Sequence, residues 1–166
     1  SRFKPILNFL KKDKKFEYQL IVTGLHLLKD HGSTINEIKK DGFKISKKIN
    51  MFDIGYKGDG ASMVFAMGNV MQALSKILKD IKPDIILSGF DIGANFSIVV
   101  AGAHLNIPVA HIQGGELSGS IDESLRHAMS KFSNFHFVAN LDAKKRLIKM
   151  GEISKNIYIV GCPSLD

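Results

Sequence analysis

The chain has 166 residues, of which 45% are hydrophobic, so it is long enough for one globular domain with a real core. Its apolar runs are all shorter than the roughly 20 residues of a membrane-spanning helix, so we expect no membrane partner. The net charge of +7 would suit nucleic acid, but no Lys or Arg occurs from Pro83 through Leu125. Because a phosphate-binding groove needs cations at the binding site, we expect no nucleic-acid partner.

The cysteine and histidine residues limit which disulfide and metal sites the chain could form. The single cysteine, Cys162, rules out an internal disulfide framework and a Cys-rich metal site. It also favours a reducing compartment, so we predict a cytoplasmic protein. The histidines share no metal-ligand spacing, and neither a G-x-G-x-x-G segment nor a P-loop occurs. We therefore predict no metal and no cofactor.

Helices and strands are predicted to alternate along the chain. The spacing of apolar residues predicts helices at 3–10, 33–40, 61–81, 94–105, 122–131 and 141–150. Short apolar runs predict strands at 18–23, 84–87, 108–112, 135–139 and 157–160, and a turn at Asp41-Gly42 leads into the β-rich segment 43–46. Asp59 is expected to be a turn residue and the N-cap of the long helix.

This alternation predicts an α/β fold with a doubly wound, Rossmann-like parallel sheet. We predict a single domain over 1–166, since the connections are short and no linker or repeat stands out. Such folds usually open with a strand, so the first strand of the sheet is expected to lie outside these residues.

Ligands of an open parallel sheet bind beyond the carboxyl ends of its strands. The segment HIQGGELSGSIDESLRH (111–127) follows one predicted strand and carries most of the candidate residues. Gly114-Gly115 permits a close backbone approach, and Glu116 directly after it has no obvious structural role. Asp122 lies four residues before Arg126, as Glu123 does before His127; alone, these pairs favour ordinary surface contacts.

Two other candidates also have structural interpretations. Asp91 follows the strand at 84–87, where it could serve as a helix N-cap. His111 lies inside an apolar strand, which is typical of a buried, hydrogen-bonded histidine.

Three segments together resemble one known family over essentially the whole chain. They are TGLHLLKDHGSTINEIKKDGFKI (23–45), HIQGGELSGSIDESLRHAMSK (111–131) and GCPSLD (161–166). The family is that of the UDP-N-acetylglucosamine 2-epimerases, especially the hydrolysing branch of sialic- and legionaminic-acid-type biosynthesis. The resemblance implies the first domain of a two-domain, glycosyltransferase-B-type enzyme.

The resemblance also implies a reaction, in which UDP is eliminated to give a glycal and water then adds to yield a 2-epimeric amino sugar. The implied partner is a UDP-sugar, and we expect the full-length protein to be a homo-oligomer. The implied catalytic residues are Asp91, Glu116 and Asp122. The expected substrate-binding residues are Ser1, His111, Gln113, Glu123, Arg126 and His127.

Two positions depart from the family pattern. Many members carry Glu where this chain has Gln113, which cannot act as a base, so Glu116 or Asp122 would have to serve. Many members carry Arg where this chain has Ile92, which favours a related sugar such as a diacetamido-trideoxy one. The resemblance places the first loop's Arg and the second domain outside this chain, so the chain alone is expected to be inactive.

Two alternatives remain open at this stage. One is a sugar transferase of the same two-domain architecture, which would pass the sugar to an acceptor. The other is a catalytically decayed nucleotide-sugar-binding domain, for which Gln113 and Ile92 are the supporting features.

Overall fold

A computed structural model describes residues 2–28, 34–53, 56–90 and 93–163. Within these ranges the helices are α1 (Lys4–Lys12), α2 (Ile35–Lys40), α3 (Gly60–Ile81), α4 (Gly93–His104), α5 (Ile121–Phe132) and α6 (Leu141–Lys149). The strands are β1 (Leu20–Thr23), β2 (Ile45–Ile49), β3 (Ile86–Gly89), β4 (Val109–Ile112), β5 (Phe135–Val138) and β6 (Ile157–Ile159). The predicted alternation is confirmed, with boundaries displaced by a few residues. The 3₁₀ turns at 24–27 and 154–156 were not predicted.

The described strands form two parallel sheets. One has the order β1-β2 and the other the order β3-β4-β5-β6. Strands are added in one direction from β3 to β6, so right-handed crossovers place α4, α5 and α6 on one face of that sheet. The α/β class with parallel strands is confirmed. The strands nevertheless form two separate sheets and not one continuous sheet.

An apolar cavity lies beside β1, with a volume of about 890 Å³ that includes the solvent space at its mouth. Strand β1 and helices α1, α3 and α4 contribute to its walls, with side chains such as Phe3, Leu7, Val22, Leu74 and Ile98. Helix α1 reaches this cavity but has no buried residue of its own. The domain is therefore incompletely packed on this side.

The main core lies between α3, α4 and the strands β2, β3 and β4. Gly102 of α4 permits this packing, since a Cβ there would lie 2.6 Å from the Ile86 side chain. A glycine at this position therefore allows the helix and the strand to approach closely. A second, smaller cluster joins α6 to β5 and β6 through Val138, Ala143, Leu147 and Ile157.

Local capping sets the ends of the longest helix. The Asp59 side chain accepts a hydrogen bond of 2.7 Å from the Ser62 amide, which confirms it as the N-cap of α3. The helix ends at Lys82, a left-handed residue with φ of 43°, immediately before Pro83. In the described part of the chain, no helix combines the length and apolar character needed to cross a bilayer.

Candidate functional site

A polar cleft lies where the carboxyl ends of β4, β5 and β6 meet. It encloses about 680 Å³ including its open mouth. Its lining residues come from the segments that follow those three strands, from α5, and from the start of the described chain: Arg2, Gln113, Glu116, Arg126, Ala139, Asn140 and Cys162. This is the edge at which parallel α/β sheets bind ligands.

Glu116 is held in this cleft by groups on two different helices. The Arg126 guanidinium of α5 donates from Nη1 to the Glu116 carbonyl oxygen at 2.6 Å. Asn140, the N-cap of α6, donates from Nδ2 to Glu116 Oε1 at 3.1 Å. The Arg146 guanidinium donates to the neighbouring Gly115 carbonyl. Both the backbone and the carboxylate of Glu116 are therefore positioned.

The loop between Glu116 and α5 is closed by Glu123. Its Oε2 accepts hydrogen bonds from the amides of Ser118 (2.6 Å) and Gly119 (2.8 Å). These amide contacts, from Gly119 first and then Ser118, hold the pKa of the Glu123 carboxyl below its usual value. The other carboxylate oxygen lies 3.9 Å from His127 Nε2. Glu123 thus stabilises the loop as an anion.

Gly114-Gly115 allows the loop to pack against a buried polar pair, His111 and Ser130. His111 is fully buried, and its Nδ1 lies 3.1 Å from Ser130 Oγ. Ser130 Oγ also donates to the Arg126 carbonyl oxygen at 3.1 Å, so His111 and the backbone of α5 are linked through the Ser130 hydroxyl. A Cβ at Gly114 would lie 2.9 Å from both atoms of this pair, so only glycine fits.

Two residues at this edge have an unusual backbone conformation. Phe90 directly follows β3 and Gln113 directly follows β4, and both have left-handed φ values, of 61° and 60°. Non-glycine residues adopt this conformation at a cost and cluster at functional sites. The Gln113 carboxamide donates from Nε2 to Cys162 Sγ at 2.6 Å, which ties β4 to the segment after β6.

The structure brings together only some of the predicted residues. Glu116, Gln113 and Arg126 line the cleft, whereas His111 lies buried beneath it. The remaining described candidates, Asp122, Glu123 and His127, are not among the lining residues. Ser1, Asp91 and Ile92 lie outside the described residues.

Three lining residues were missed by sequence reasoning: Arg2, Asn140 and Cys162. Arg2 also stacks on the Phe90 ring at 5.1 Å. Its position just before a helix was an available signal, but the first-loop arginine was expected to lie outside the chain. Asn140 directly follows the predicted strand at 135–139, which was the available signal for it. The convergence of these segments depends on the order of the strands, which the sequence does not display.

This arrangement is suited to acid–base chemistry on an anionic ligand. Glu116 is the one carboxylate among the described lining residues, and the guanidinium groups of Arg2 and Arg126 lie around the same cleft. Carboxylates move protons, and guanidinium groups bind phosphates. No cluster of metal-ligating side chains occurs within the described ranges.

The parallel sheets and the strand-end cleft place the chain in the Rossmann-like class of ligand-binding α/β domains. The family model described as UDP-N-acetylglucosamine 2-epimerase matches residues 8–166, and the chain belongs to this family.

Individual relatives agree with this assignment. The chain is 40% identical over 163 residues to the UDP-N,N'-diacetylbacillosamine 2-epimerase (hydrolyzing) of Legionella pneumophila, covering 98% of this chain and 43% of that protein. It is 35% identical over 166 residues to the UDP-N-acetylglucosamine 2-epimerase of Neisseria meningitidis, covering 100% of this chain and 43% of the relative. The chain thus spans less than half the length of these relatives.

A solved structure shows the same fold. The UDP-GlcNAc 2-epimerase from Neisseria meningitidis bound to UDP-GlcNAc superposes with a TM-score of 0.84 at 22% identity. The match covers 97% of this chain and 42% of that chain. The present fold therefore corresponds to one part of that longer structure.

Proposed function

We propose that this chain is the first domain of a hydrolysing 2-epimerase that acts on a UDP-linked 2-acetamido sugar. The observation that carries this proposal is Glu116, a positioned carboxylate in a cleft that arginines also line. The relatives named above as hydrolysing and as UDP-sugar epimerases support the reaction class.

In the proposed reaction, the Glu116 carboxylate takes the proton from C2 of the sugar. The C1–O bond breaks, its electron pair leaves with UDP, and a C1–C2 double bond forms. Water then supplies a hydroxyl to C1, while C2 receives a proton on the opposite face, so the products are UDP and the free 2-epimeric sugar. Removal of a weakly acidic proton requires close placement of the base. The hydrogen bonds from Arg126 and Asn140 to Glu116 supply this placement.

We assign Arg2 to the diphosphate of the substrate. Its guanidinium lies at the cleft and is oriented by its contact with Phe90. Guanidinium groups bind phosphate oxygens in pairs, and such a contact would also stabilise the departing UDP. Gln113 serves as a neutral hydrogen-bonding side chain, because its amide has no basic group.

A labelling experiment tests the reaction. The full-length protein carrying this domain is incubated with UDP-N-acetylglucosamine or UDP-N,N'-diacetylbacillosamine in deuterated water. Deuterium at C2 of a released sugar is expected. UDP release that requires an added acceptor, with hydrogen retained at C2, would show a transferase instead. Comparing the two substrates shows which combination of substituents at C4 and C6 is preferred.

We also propose that the full-length protein supplies a parallel strand between β1 and β3, together with a second domain. The apolar cavity beside β1 and the absence of buried residues in α1 support the added strand. A strand followed by α1 and β1 would form a right-handed crossover unit. A chain extended at its N-terminus should unfold at a higher temperature, and the 166-residue chain alone should not turn over substrate.

Cytoplasmic location and homo-oligomeric assembly are likewise proposals. The single cysteine supports the first. Val64 and Phe65, 72% and 62% exposed on α3, support the second, since adjacent exposed apolar side chains are typical of interfaces. Sedimentation of the full-length protein and of its Phe65→Asp variant tests the assembly.

A further inference from the structure

Asn140 makes two hydrogen bonds of different kinds at the cleft. Its Oδ1 accepts from the Ala143 amide at 2.9 Å and so caps α6. Its Nδ2 donates to Glu116 Oε1 at 3.1 Å. The two ends of one carboxamide thus connect a helix terminus to the carboxylate in the cleft.

The orientation of this carboxamide is fixed by its partners. A flipped amide would direct its NH₂ group at the Ala143 N–H and its oxygen at the Glu116 carboxylate, and both contacts would be repulsive. The cap therefore forces the donor end toward Glu116. Helix α6 is itself anchored, because Ala143 and Leu147 are fully buried.

The backbone of Glu116 is fixed independently of Asn140. Arg126 binds the Glu116 carbonyl and Arg146 binds the Gly115 carbonyl. These contacts set where the residue sits, but they leave the rotation of its side chain open. The hydrogen bond from Asn140 restrains the rotation of the carboxylate itself.

We propose that Asn140 is a positioning residue that orients the Glu116 carboxylate for proton abstraction. This inference rests on the proposed function for its kinetic consequence, and it adds a residue to which the family resemblance gave no role. A donor to a carboxylate stabilises the anion, whereas a negative neighbour destabilises it.

The chain offers a nearly isosteric test in Asn140→Asp. Aspartate caps helices as well as asparagine does, so α6 should be retained. The same change replaces the donor facing Glu116 by a negative oxygen. In the full-length protein we expect kcat at pH 7 to fall at least about tenfold and the acidic limb of the pH–rate profile to move to higher pH, with KM little changed.

Two further variants separate positioning from structure. Asn140→Ser keeps a capping oxygen but lacks the Nδ2 group that reaches Glu116, so kcat should fall without the displacement of the acidic limb. Asp142→Asn changes a charge in the same helical turn, on a side chain that is 83% exposed, and should leave the profile as in the wild type. Thermal unfolding of each variant checks that the fold is retained.

The outcomes distinguish this inference from the proposed function. An Asn140→Asp profile that matches the wild type, or a loss of rate that is uniform at every pH, would overturn the positioning role. Absence of UDP-sugar turnover in the wild type would overturn the proposed function alone. The Glu116 carboxyl can then be titrated by carbon NMR in the 166-residue chain: a higher midpoint in Asn140→Asp supports the contact, and an unchanged one refutes it.

Discussion

Arg126 reaches across the 116–120 loop to donate from Nη1 to the Glu116 carbonyl oxygen at 2.6 Å. The guanidinium carries its charge almost out of solvent, with the residue only 6% exposed. This places a buried cation directly beneath the residue that we assign as the base. Arg126 therefore connects helix α5 to the loop and to the cleft residue Glu116.

Replacing Arg126 by Lys should therefore loosen the loop. Lysine keeps the charge but cannot reproduce the planar fork that reaches the Glu116 carbonyl and Ser118 Oγ. We expect a loss of about 2 kcal/mol in the free energy of unfolding. We also expect faster hydrogen exchange at the Ser118 and Gly119 amides. Lys145→Gln, at an exposed position of α6, is the control. Unchanged exchange rates in Arg126→Lys would contradict the role of Arg126 in holding the 116–120 loop.

Alanine substitutions at Gly115 and Gly119 compare a crowded glycine with an open one. Gly115→Ala combines a left-handed φ of 80° with a Cβ 2.6 Å from the Ala143 carbonyl, and should be the most destabilising change. Gly119→Ala has a similar φ of 68° but open space around the Cβ, so it should cost only about 1–2 kcal/mol. Urea denaturation measures both variants. Equal losses would show that backbone strain alone decides the effect.

The His136–Glu152 pair predicts a pH dependence of stability. Burial lowers the pKa of His136, and Glu152, 3.3 Å from its Nε2, offsets only part of that effect; Lys131 also lowers it. The unfolded chain therefore binds the proton first as pH falls below 6.5, the ordinary pKa of a histidine. Stability should decline below that pH. His136→Gln should flatten the decline in denaturation curves, while the exposed His104→Gln should not.

Gln113 allows the idea of a decayed site to be tested. Its amide donates to Cys162 Sγ, and its left-handed backbone places it at the end of β4. Glutamate there would lose that donor and add a negative charge to the cleft that holds Glu116. We expect Gln113→Glu to lower turnover severalfold, with Gln113→Asn as the neutral control. A large gain in turnover would mean that the native site is impaired.

The sequence predicted the helices, strands and fold class because apolar spacing reports directly on which faces are buried. It also singled out Glu116, since a carboxylate after Gly-Gly at a strand end has no packing role. It could not separate Glu116 from Asp122, because both follow the same strand. Their different positions depend on how the loop folds back under Arg126 and Glu123.

Long-range convergence explains the residues that were missed. Asn140 and Cys162 meet Gln113 because β4, β5 and β6 are adjacent in the sheet, and Arg2 reaches the same cleft from the other end of the chain, beside Phe90. His111 illustrates the reverse case. The family resemblance implied a substrate-binding role for it, whereas its strand position was typical of a buried histidine, and in the structure it is buried and hydrogen-bonds to Ser130 below the loop.

The assignment of Glu116 as the base is tested most directly by exchange at C2. In deuterated water, the full-length Glu116→Gln variant should incorporate deuterium at C2 of the sugar at least about a hundredfold more slowly than the wild type. Asp142→Asn should exchange at the wild-type rate. Wild-type exchange in Glu116→Gln, with loss of exchange in Asp122→Asn, would contradict the account and assign the base to Asp122.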